Sequence, residues 1–271
     1  MAIITNVSTQ KQKKRYNIFL DGQYAFSVSE NILIKKRLFK GTNLTDEQIA
    51  EIKQAELDQR TLNLAQDFLS YQMRTVNEVF VYLRQKGVSE TAIKVAIADL
   101  KKLKLLDDQN YVKLYVNNNL QIGKEGPNSI RHKLLNKGVD NKLIENVLSS
   151  YDNIDWVDPG IRLVKSMSNK LGKLSTKAII QKTKLKLMQH GFSSDQLDLV
   201  IEQLDLSNNS DEQLEALIKE GIKAYKKYAQ EPDFKRKQKI RRYLFTHGFD
   251  STEIDQFLDG QIIDFNSLED Y

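Results

Sequence analysis

Apolar residues recur along most of the chain at the spacing of an amphipathic helix, with polar residues between them. One such run consists of Val76, Val79, Phe80 and Leu83. The run stops at Gly87, and a second run begins within the next few residues. That second run consists of Ile93, Ala96, Ile97 and Leu100. Spacings of three and four residues give one buried stripe per helix, so the pattern predicts two helices joined by a short turn.

The same helix–glycine–helix pattern occurs four times in the chain. Its glycines are Gly87, Gly138, Gly191 and Gly248, at spacings of 51, 53 and 57 residues. In every copy a leucine precedes the glycine by four residues, a lysine or histidine precedes it by one, and a serine or aspartate follows it by two. Glycine suits the left-handed residue after a helix, a cation suits the helix C-terminus, and serine or aspartate suits the N-cap of the next helix. The agreement in register predicts an internal repeat.

A further helical pattern precedes each copy, so each repeat unit has three predicted helices. These first helices are predicted at 61–71, 108–121, 155–172 and 210–229. A unit of this size buries only part of its own apolar surface, and stacked neighbours complete the burial. We therefore expect a mostly α fold in which four three-helix repeats stack into an elongated, curved body. The period excludes tetratricopeptide and ankyrin repeats, which are about 33 to 34 residues long.

The N-terminal segment has a different pattern. Alternating apolar residues flank Asp21 and Gly22, and this dipeptide is typical of a type I′ hairpin turn. We predict a small β-meander over 2–28, followed by short helices at 29–37 and 45–58. The predicted division of the chain is 1–58 for the β-meander and linker helices, 59–106, 107–152, 153–206 and 207–262 for the four repeats, and 263–271 for a C-terminal tail.

Composition narrows the class of protein further. The 271 residues are 40% hydrophobic and 28% charged, which fits a folded domain. The absence of cysteine excludes disulfides and thiolate metal sites. We find no apolar run near the roughly 18 residues that span a bilayer and no signal-peptide pattern at the N-terminus. We therefore expect a cytoplasmic protein, without membrane contact, that is monomeric.

Positive charge is concentrated in the later repeats. The net charge is +5, yet residues 159–194 contain no aspartate or glutamate and eight basic residues. Residues 223–242 carry nine basic residues against two acidic ones. If the repeats stack in register, these cations form a stripe that suits a phosphate backbone. The alternative is that they are ordinary solvated side chains balanced by nearby acids.

Catalytic and metal-binding patterns are absent from the sequence. His132, His190 and His247 are widely spaced, and the last two occupy equivalent repeat positions beside a glycine. Asp107 fits an N-cap, and the sole tryptophan, Trp156, fits a core position. The segment 123–126 lacks the glycine spacing of a phosphate-binding loop. We therefore expect neither an enzyme nor a bound cofactor or metal, and the acidic third helices disfavour a DNA-reading helix-turn-helix.

The sequence resembles a known family over about residues 1–260. The pattern Leu-Leu-Asp-Asp, an aromatic residue, Gly-Pro, Ile-Arg and Leu-x-x-Lys-Gly-Val resembles the RecX family of recombinase regulators. The matching residues are Leu105, Leu106, Asp107, Asp108, Tyr111, Lys124, Gly126, Pro127, Ile130, Arg131, Leu134, Lys137, Gly138 and Val139. The N-terminal hairpin and fourth repeat resemble the longer Gram-positive members. Glu125 is a departure, because it interrupts a segment that is usually more basic.

The resemblance implies a non-enzymatic modulator of RecA. Such proteins bind the RecA filament on single-stranded DNA and restrain its ATPase activity and strand exchange. The candidate filament- or DNA-binding residues are Lys124, Arg131, Lys133, Lys137, Arg162, Lys165, Lys173, Lys177, Lys182, Lys184, Lys186, Lys235, Arg236, Lys239, Arg241 and Arg242. Two other functions stay open: a general nucleic-acid-binding repeat protein without a recombinase partner, and a protein scaffold without a DNA role.

Overall fold

A computed structural model describes residues 1–11, 14–170, 173–204 and 210–263. The contacts divide the chain into two compact units. Unit 1 comprises residues 1–111 together with 137–139, and unit 2 comprises 112–136 together with 140–271. The predicted tail at 263–271 lies outside the described residues from 264 onwards.

A small antiparallel sheet begins unit 1, as the alternating pattern predicts. Its strands are β1 (Ala2–Thr9), β2 (Arg15–Leu20), β3 (Gln23–Ser29) and β4 (Asn43–Leu44), in the order β3-β2-β1-β4. Asp21 and Gly22 connect β2 to β3 with φ values of 49° and 85°. Both residues have the positive φ of a type I′ turn, so the hairpin prediction is confirmed. Strand β4 was not predicted, because a strand of two residues is too short to produce an alternating pattern.

The linker helices differ from the prediction. Helix α1 (Glu30–Lys35) follows the sheet, but α2 (Asp46–Tyr71) is one continuous helix where two were predicted, at 45–58 and 61–71. No glycine or proline interrupts this segment, so the backbone hydrogen bonds continue through the point where the apolar pattern changes. Glu56 of α2 is buried and anchors the helix to the sheet, since it pairs with Arg15 at 2.9 Å and accepts the Ser29 N–H at 2.7 Å.

The helical repeats follow, as predicted. The second and third helices of the first repeat are α3 (Val76–Gln85) and α4 (Glu90–Lys102); α2 supplies its first. The second repeat consists of α5 (Asp108–Ile122), α6 (Pro127–Asn136) and α7 (Asn141–Leu148). The third contains α8 (Val157–Val164), α9 (Thr176–Gln189) and α10 (Ser194–Gln203), and the fourth α11 (Ser210–Lys227), α12 (Asp233–Thr246) and α13 (Ser251–Leu258).

The first helix of the third repeat is broken, although a continuous helix was predicted at 155–172. Two short 3₁₀ segments, Asn153–Trp156 and Lys165–Lys170, flank α8. Pro159 lies in the first turn of α8, and its missing N–H prevents an α-helical hydrogen bond back to Asp155. A 3₁₀ entry is therefore favoured before the proline. Residues 171–172 lie outside the described part.

The turn between the second and third helices has the predicted geometry in all four repeats. The four repeat glycines have φ values of 78°, 76°, 84° and 86°, and each follows the helix as a C′ residue. The N-caps two residues later are Ser89, Asp140, Ser193 and Asp250. The prediction of this local turn from sequence is therefore confirmed.

Hydrogen bonds join each repeat to the next. The residues at the start of the second helix in one repeat donate to carbonyls at the end of the second helix in the following repeat. In unit 2, the N–H groups of Gly126 and Asn128 donate to the carbonyls of His190 and Gly191, at 2.8 and 3.1 Å. Ser175 repeats this arrangement one unit later, since its N–H donates to His247 at 3.1 Å and its hydroxyl to Gly248 at 2.6 Å.

A similar contact lies within unit 1. The Thr75 hydroxyl, at the N-cap of α3, donates to the Lys137 carbonyl at 2.8 Å. The corresponding N-cap of α12 is Pro232, which has neither an N–H nor a hydroxyl. The fourth repeat therefore lacks the donors with which the first three hold the next repeat.

Candidate nucleic-acid interface

Three candidate cations form a repeated ion pair between the second and third helices. Each cation lies seven residues before its repeat glycine, and each carboxylate lies seven residues after it. The pairs are Arg131 with Glu145 (Nη2–Oε2 3.1 Å), Lys184 with Asp198 (2.9 Å), and Arg241 with Asp255. The first repeat has Phe80 and Lys94 at these positions and lacks the pair. Part of the acidity of the third helices therefore neutralises cations of the second helices.

The Arg131–Glu145 pair affects the ionisation of its carboxylate. The hydrogen bond from the Arg131 guanidinium lowers the pKa of Glu145 below its usual value, while partial burial opposes this shift. Both side chains remain accessible to solvent, so the pair makes only a small contribution to stability.

Other candidates are also held within the fold. Lys133 pairs with Glu125, the residue that departs from the usual basic pattern. In unit 1, Lys137 binds Glu78 at 2.7 Å and lies 5.7 Å from the Tyr111 ring centroid. Each cation thus has an intramolecular partner that a phosphate would have to replace or share.

Arg162 caps the C-terminal end of α5. Its guanidinium donates to the carbonyls of Asn119, Leu120 and Gly123, at 3.3, 2.6 and 3.0 Å. These carbonyls lie at the negative end of the helix dipole, so the contact fulfils a structural role.

The fourth repeat has two further partnered cations. Arg236 binds Asp233 at 2.7 Å, and Lys239 pairs with Glu231. Lys177 and Lys235 are exposed. The pKa of Asp250 is lowered mainly by hydrogen bonds to Thr252 and to a smaller extent by Lys177. The pKa of Glu231 is lowered mainly by the hydrogen bond from Lys239 and to a smaller extent by Lys235. Lys165 has an exposed side chain at the end of α8.

Among the described residues, five of the remaining candidates have no ion pair, no hydrogen bond to a carbonyl and no neighbouring carboxylate whose pKa they lower. We call this set the unpaired cations: Lys124, Lys173, Lys182, Lys186 and Arg242. All five belong to unit 2 and lie on second helices or in the loops before them. Lys182 and Lys186 are four residues apart and share one side of α9, whereas Lys184 is directed to α10 by its ion pair. The structure therefore separates available charge from charge used in folding.

Exposed apolar side chains occur beside these cations. Leu135, Met188 and Phe245 each lie three residues before a repeat glycine, and Leu185 is one turn away from Met188. Their exposed fractions are 37%, 60%, 63% and 58%, respectively. Sequence reasoning assigned no role to these positions, although their common place in the repeat register was available as a signal. Large apolar side chains left in solvent favour contact with a protein.

Asp107 and Trp156 occupy the positions that the sequence analysis expected for them. Asp107 is an N-cap, since its carboxylate accepts the N–H groups of Gln109 and Asn110 at 2.9 and 3.0 Å. Trp156 is buried. Across the described residues, no group of three or more His, Cys, Asp or Glu is placed to hold a metal ion, and no helix is long and apolar enough to cross a membrane.

Family models and related proteins match this architecture. The regulatory protein RecX N-terminal domain matches residues 2–45, and the first and second RecX three-helix domains match 62–100 and 107–148. The third RecX three-helix domain matches 211–258. A regulatory protein RecX from Lactobacillus johnsonii is 50% identical over 271 residues, covering 100% of both chains. The chain belongs to the RecX family.

More distant RecX proteins agree with this assignment. The regulatory protein RecX of Bacillus subtilis is 36% identical over 259 residues, which cover 95% of this chain and 98% of that protein. A crystal structure of regulatory protein RecX superposes with a TM-score of 0.63 at 32% identity, covering 74% of this chain and all of the other. RecX from Lactobacillus salivarius gives a TM-score of 0.53 at 33% identity, covering 56% of this chain and 99% of the other.

The named members of the RecX family that match this chain are regulatory proteins. The family motif in this chain mainly specifies the fold. Ile130 and Leu134 are fully buried, and a Cβ on Gly126 would lie 2.5 Å from the backbone of Gly191. The third RecX three-helix domain matches nearly all of the fourth repeat, including the lysine-containing helices α11 and α12.

Proposed function

We propose that the chain binds the RecA filament on single-stranded DNA and lowers its ATPase activity, strand exchange and growth. This activity would restrain recombinational DNA repair during the SOS response, in the cytoplasm and without catalysis by the chain itself. The proposal extends the family assignment, which implies RecA as the partner.

The observation that carries the proposal is the combination of two kinds of side chain on the second helices of unit 2. The unpaired cations suit DNA phosphates, because a cation without an intramolecular ion pair can bind a phosphate without breaking one. The exposed Met188 and Phe245 suit a protein surface, because aromatic residues and methionine are enriched in interfaces. A filament of protein and DNA offers both surfaces.

Binding measurements test the proposal against the two alternatives. The affinity of the chain is compared for bare single-stranded DNA and for the same DNA coated with RecA, over a range of salt concentrations. We expect tighter binding to the filament and a clear salt dependence. Equal affinity for bare and coated DNA would instead indicate a general nucleic-acid-binding protein. Filament binding that is insensitive to salt would indicate a protein scaffold without DNA contact.

Charge reversal provides a residue-level test. Reversing Lys182, Lys184 and Lys186 to glutamate together is expected to lower filament affinity and flatten its salt dependence. A matched reversal of Lys94, Lys101 and Lys102, on helix α4 of unit 1, controls for the change in net charge. Equal loss in both variants would contradict the assignment of binding to α9.

A further inference from the structure

Tyrosine rings and cations lie side by side between α11 and α12 of the fourth repeat. We call this surface the seam, and it consists of Tyr225, Lys227, Tyr228, Arg236, Lys239, Tyr243 and His247. Lys227 Nζ, at the end of α11, lies 5.4 Å from the ring centroid of Tyr228, the residue that follows α11, and 5.7 Å from that of Tyr243 on α12. Lys239 Nζ lies 5.6 Å from the Tyr228 centroid. One ring, Tyr228, therefore has a lysine from each helix beside it.

The seam continues in both directions along the helices. Arg236 Cζ lies 4.8 Å from the Tyr225 ring centroid, and the Tyr243 and His247 rings lie 4.1 Å apart with 30° between their planes. Along α12 and its C-cap residue His247, the side chains share one face, since they follow at spacings of three and four residues: Arg236, Lys239, Tyr243 and His247. At 1.5 Å per residue, this face is about 16 Å long.

Packing accounts for only part of this arrangement. The tyrosines contact the core of the repeat, and the Tyr243 hydroxyl donates to the buried Glu220 carboxylate at 2.6 Å. Tyr228, however, is only partly buried, and no hydrogen bond of its hydroxyl fixes it to the fold among the described residues. Its ring is bordered by cations and open to solvent in part, which packing alone does not require.

We propose that this seam is a stacking site for unpaired bases of single-stranded nucleic acid, with a base on the Tyr228 ring. Lys227 then neutralises a phosphate beside the stacked nucleotide, and Lys239 neutralises a second phosphate only by exchanging its ion pair with Glu231. Every base has a flat π face, so this mode of binding tolerates any sequence. Bases within a duplex are already stacked on one another, and the seam therefore discriminates against double-stranded DNA. The inference rests on the proposed function, because it names the nucleic-acid site of a chain proposed to act on a filament of single-stranded DNA.

The test measures binding of the full chain to a fluorescent thymidine oligonucleotide in the absence of RecA. A strand of equal length with abasic sugars carries the same phosphates but no bases. We expect the thymidine strand to bind at least about tenfold more tightly than the abasic strand, which is the scale of one base–aromatic stack. Equal affinity for the two strands would overturn the proposal.

Substitutions assign the effect to the seam. Tyr228→Leu keeps an apolar side chain against the core and is expected to lose about tenfold in thymidine-strand affinity, with an unchanged salt dependence and unchanged affinity for the abasic strand. Lys227→Gln is expected to flatten the salt dependence instead. Tyr71→Leu is the matched control, since Tyr71 is 87% exposed on unit 1 and lies outside the seam. If the Tyr71 variant loses as much affinity as the Tyr228 variant, the seam is not the site.

A crosslinking measurement on the unsubstituted chain gives an answer even if Tyr228→Leu fails to fold. A strand containing 5-iodouracil is irradiated with the chain, and the crosslinked peptide is identified by mass spectrometry. Crosslinks at Tyr228 or Tyr243 support the proposal, whereas crosslinks confined to other segments contradict it. The readout contains no RecA, so failure of stacking leaves the proposed regulation of RecA standing, and failure of that regulation leaves stacking standing.

Discussion

Substitution of Gly191 by alanine tests the joint between successive repeats. Gly191 has a φ of 84°, and a Cβ there would lie 2.3 Å from the backbone nitrogen of Ser129 and 2.8 Å from its Cβ. The first turn of α6 would have to move away, which would disturb the hydrogen bonds from Gly126 and Asn128 to the end of α9. The substitution therefore adds a steric conflict at the joint to the strain of a positive φ.

The two contributions can be estimated separately. A left-handed conformation costs a residue with a Cβ about 1–2 kcal/mol. Overpacking of a tight contact costs about 1–3 kcal/mol more. Gly191→Ala is therefore expected to reduce the free energy of unfolding of unit 2 by about 2–5 kcal/mol.

Gly260 supplies a control for the backbone strain alone. It belongs to the same unit and has a φ of 77°, but a Cβ there has only the Ile263 carbonyl oxygen nearby, at 3.7 Å. Gly260→Ala is expected to cost about 1–2 kcal/mol.

Urea unfolding is followed by circular dichroism and by the fluorescence of Trp156, which is buried in unit 2 and is the sole tryptophan. Equal losses of stability in the Gly191 and Gly260 variants would refute the account of the joint.

Two other predictions concern charge. Replacing Lys182 and Lys186 by glutamine is expected to flatten the slope of log affinity for single-stranded DNA against log salt by about 1.4, because each lost phosphate contact contributes about 0.7. Lys184→Gln is the control, since Lys184 pairs with Asp198. A slope change of the same size in the control would contradict the distinction between unpaired and paired lysines. The pKa of Glu145 is lower in the folded chain than its usual value of 4.5, so the ionised carboxylate stabilises unit 2 above pH 4.5. This stabilisation is lost as the pH falls through the folded-state pKa. Glu145→Gln is therefore expected to lower the free energy of unfolding by at most about 0.5 kcal/mol at neutral pH. It is also expected to weaken the dependence of that free energy on acidic pH, as measured by urea titration. An unchanged pH dependence would contradict the assignment of this effect to the Arg131–Glu145 pair.

Local features of the repeat were predictable because a few neighbouring residues determine them. A glycine such as Gly138 after a helix, followed two residues later by Asp140, is sufficient to specify the C′ residue and the next N-cap. The continuity of α2 was not predicted, because a change in apolar pattern was read as a break although no residue there breaks a helix.

The candidate site was predictable only as a concentration of charge. Counting lysines does not show that Lys184 faces α10 while Lys182 does not, because this depends on which sides of two helices meet. The constant spacing of cations and carboxylates around each glycine contained that information in the sequence. The tyrosines of the fourth repeat were also missed, since Tyr228 and Tyr243 are neighbours only through the packing of α11 on α12.

The most direct test of the central claim is a titration of the chain into RecA filaments assembled on single-stranded DNA, followed by the rate of ATP hydrolysis. The account predicts strong inhibition at amounts far below one chain per RecA protomer, as expected when filament extension is blocked. An unchanged rate at equimolar amounts, with the RecA of the same cell, would contradict the proposed regulation.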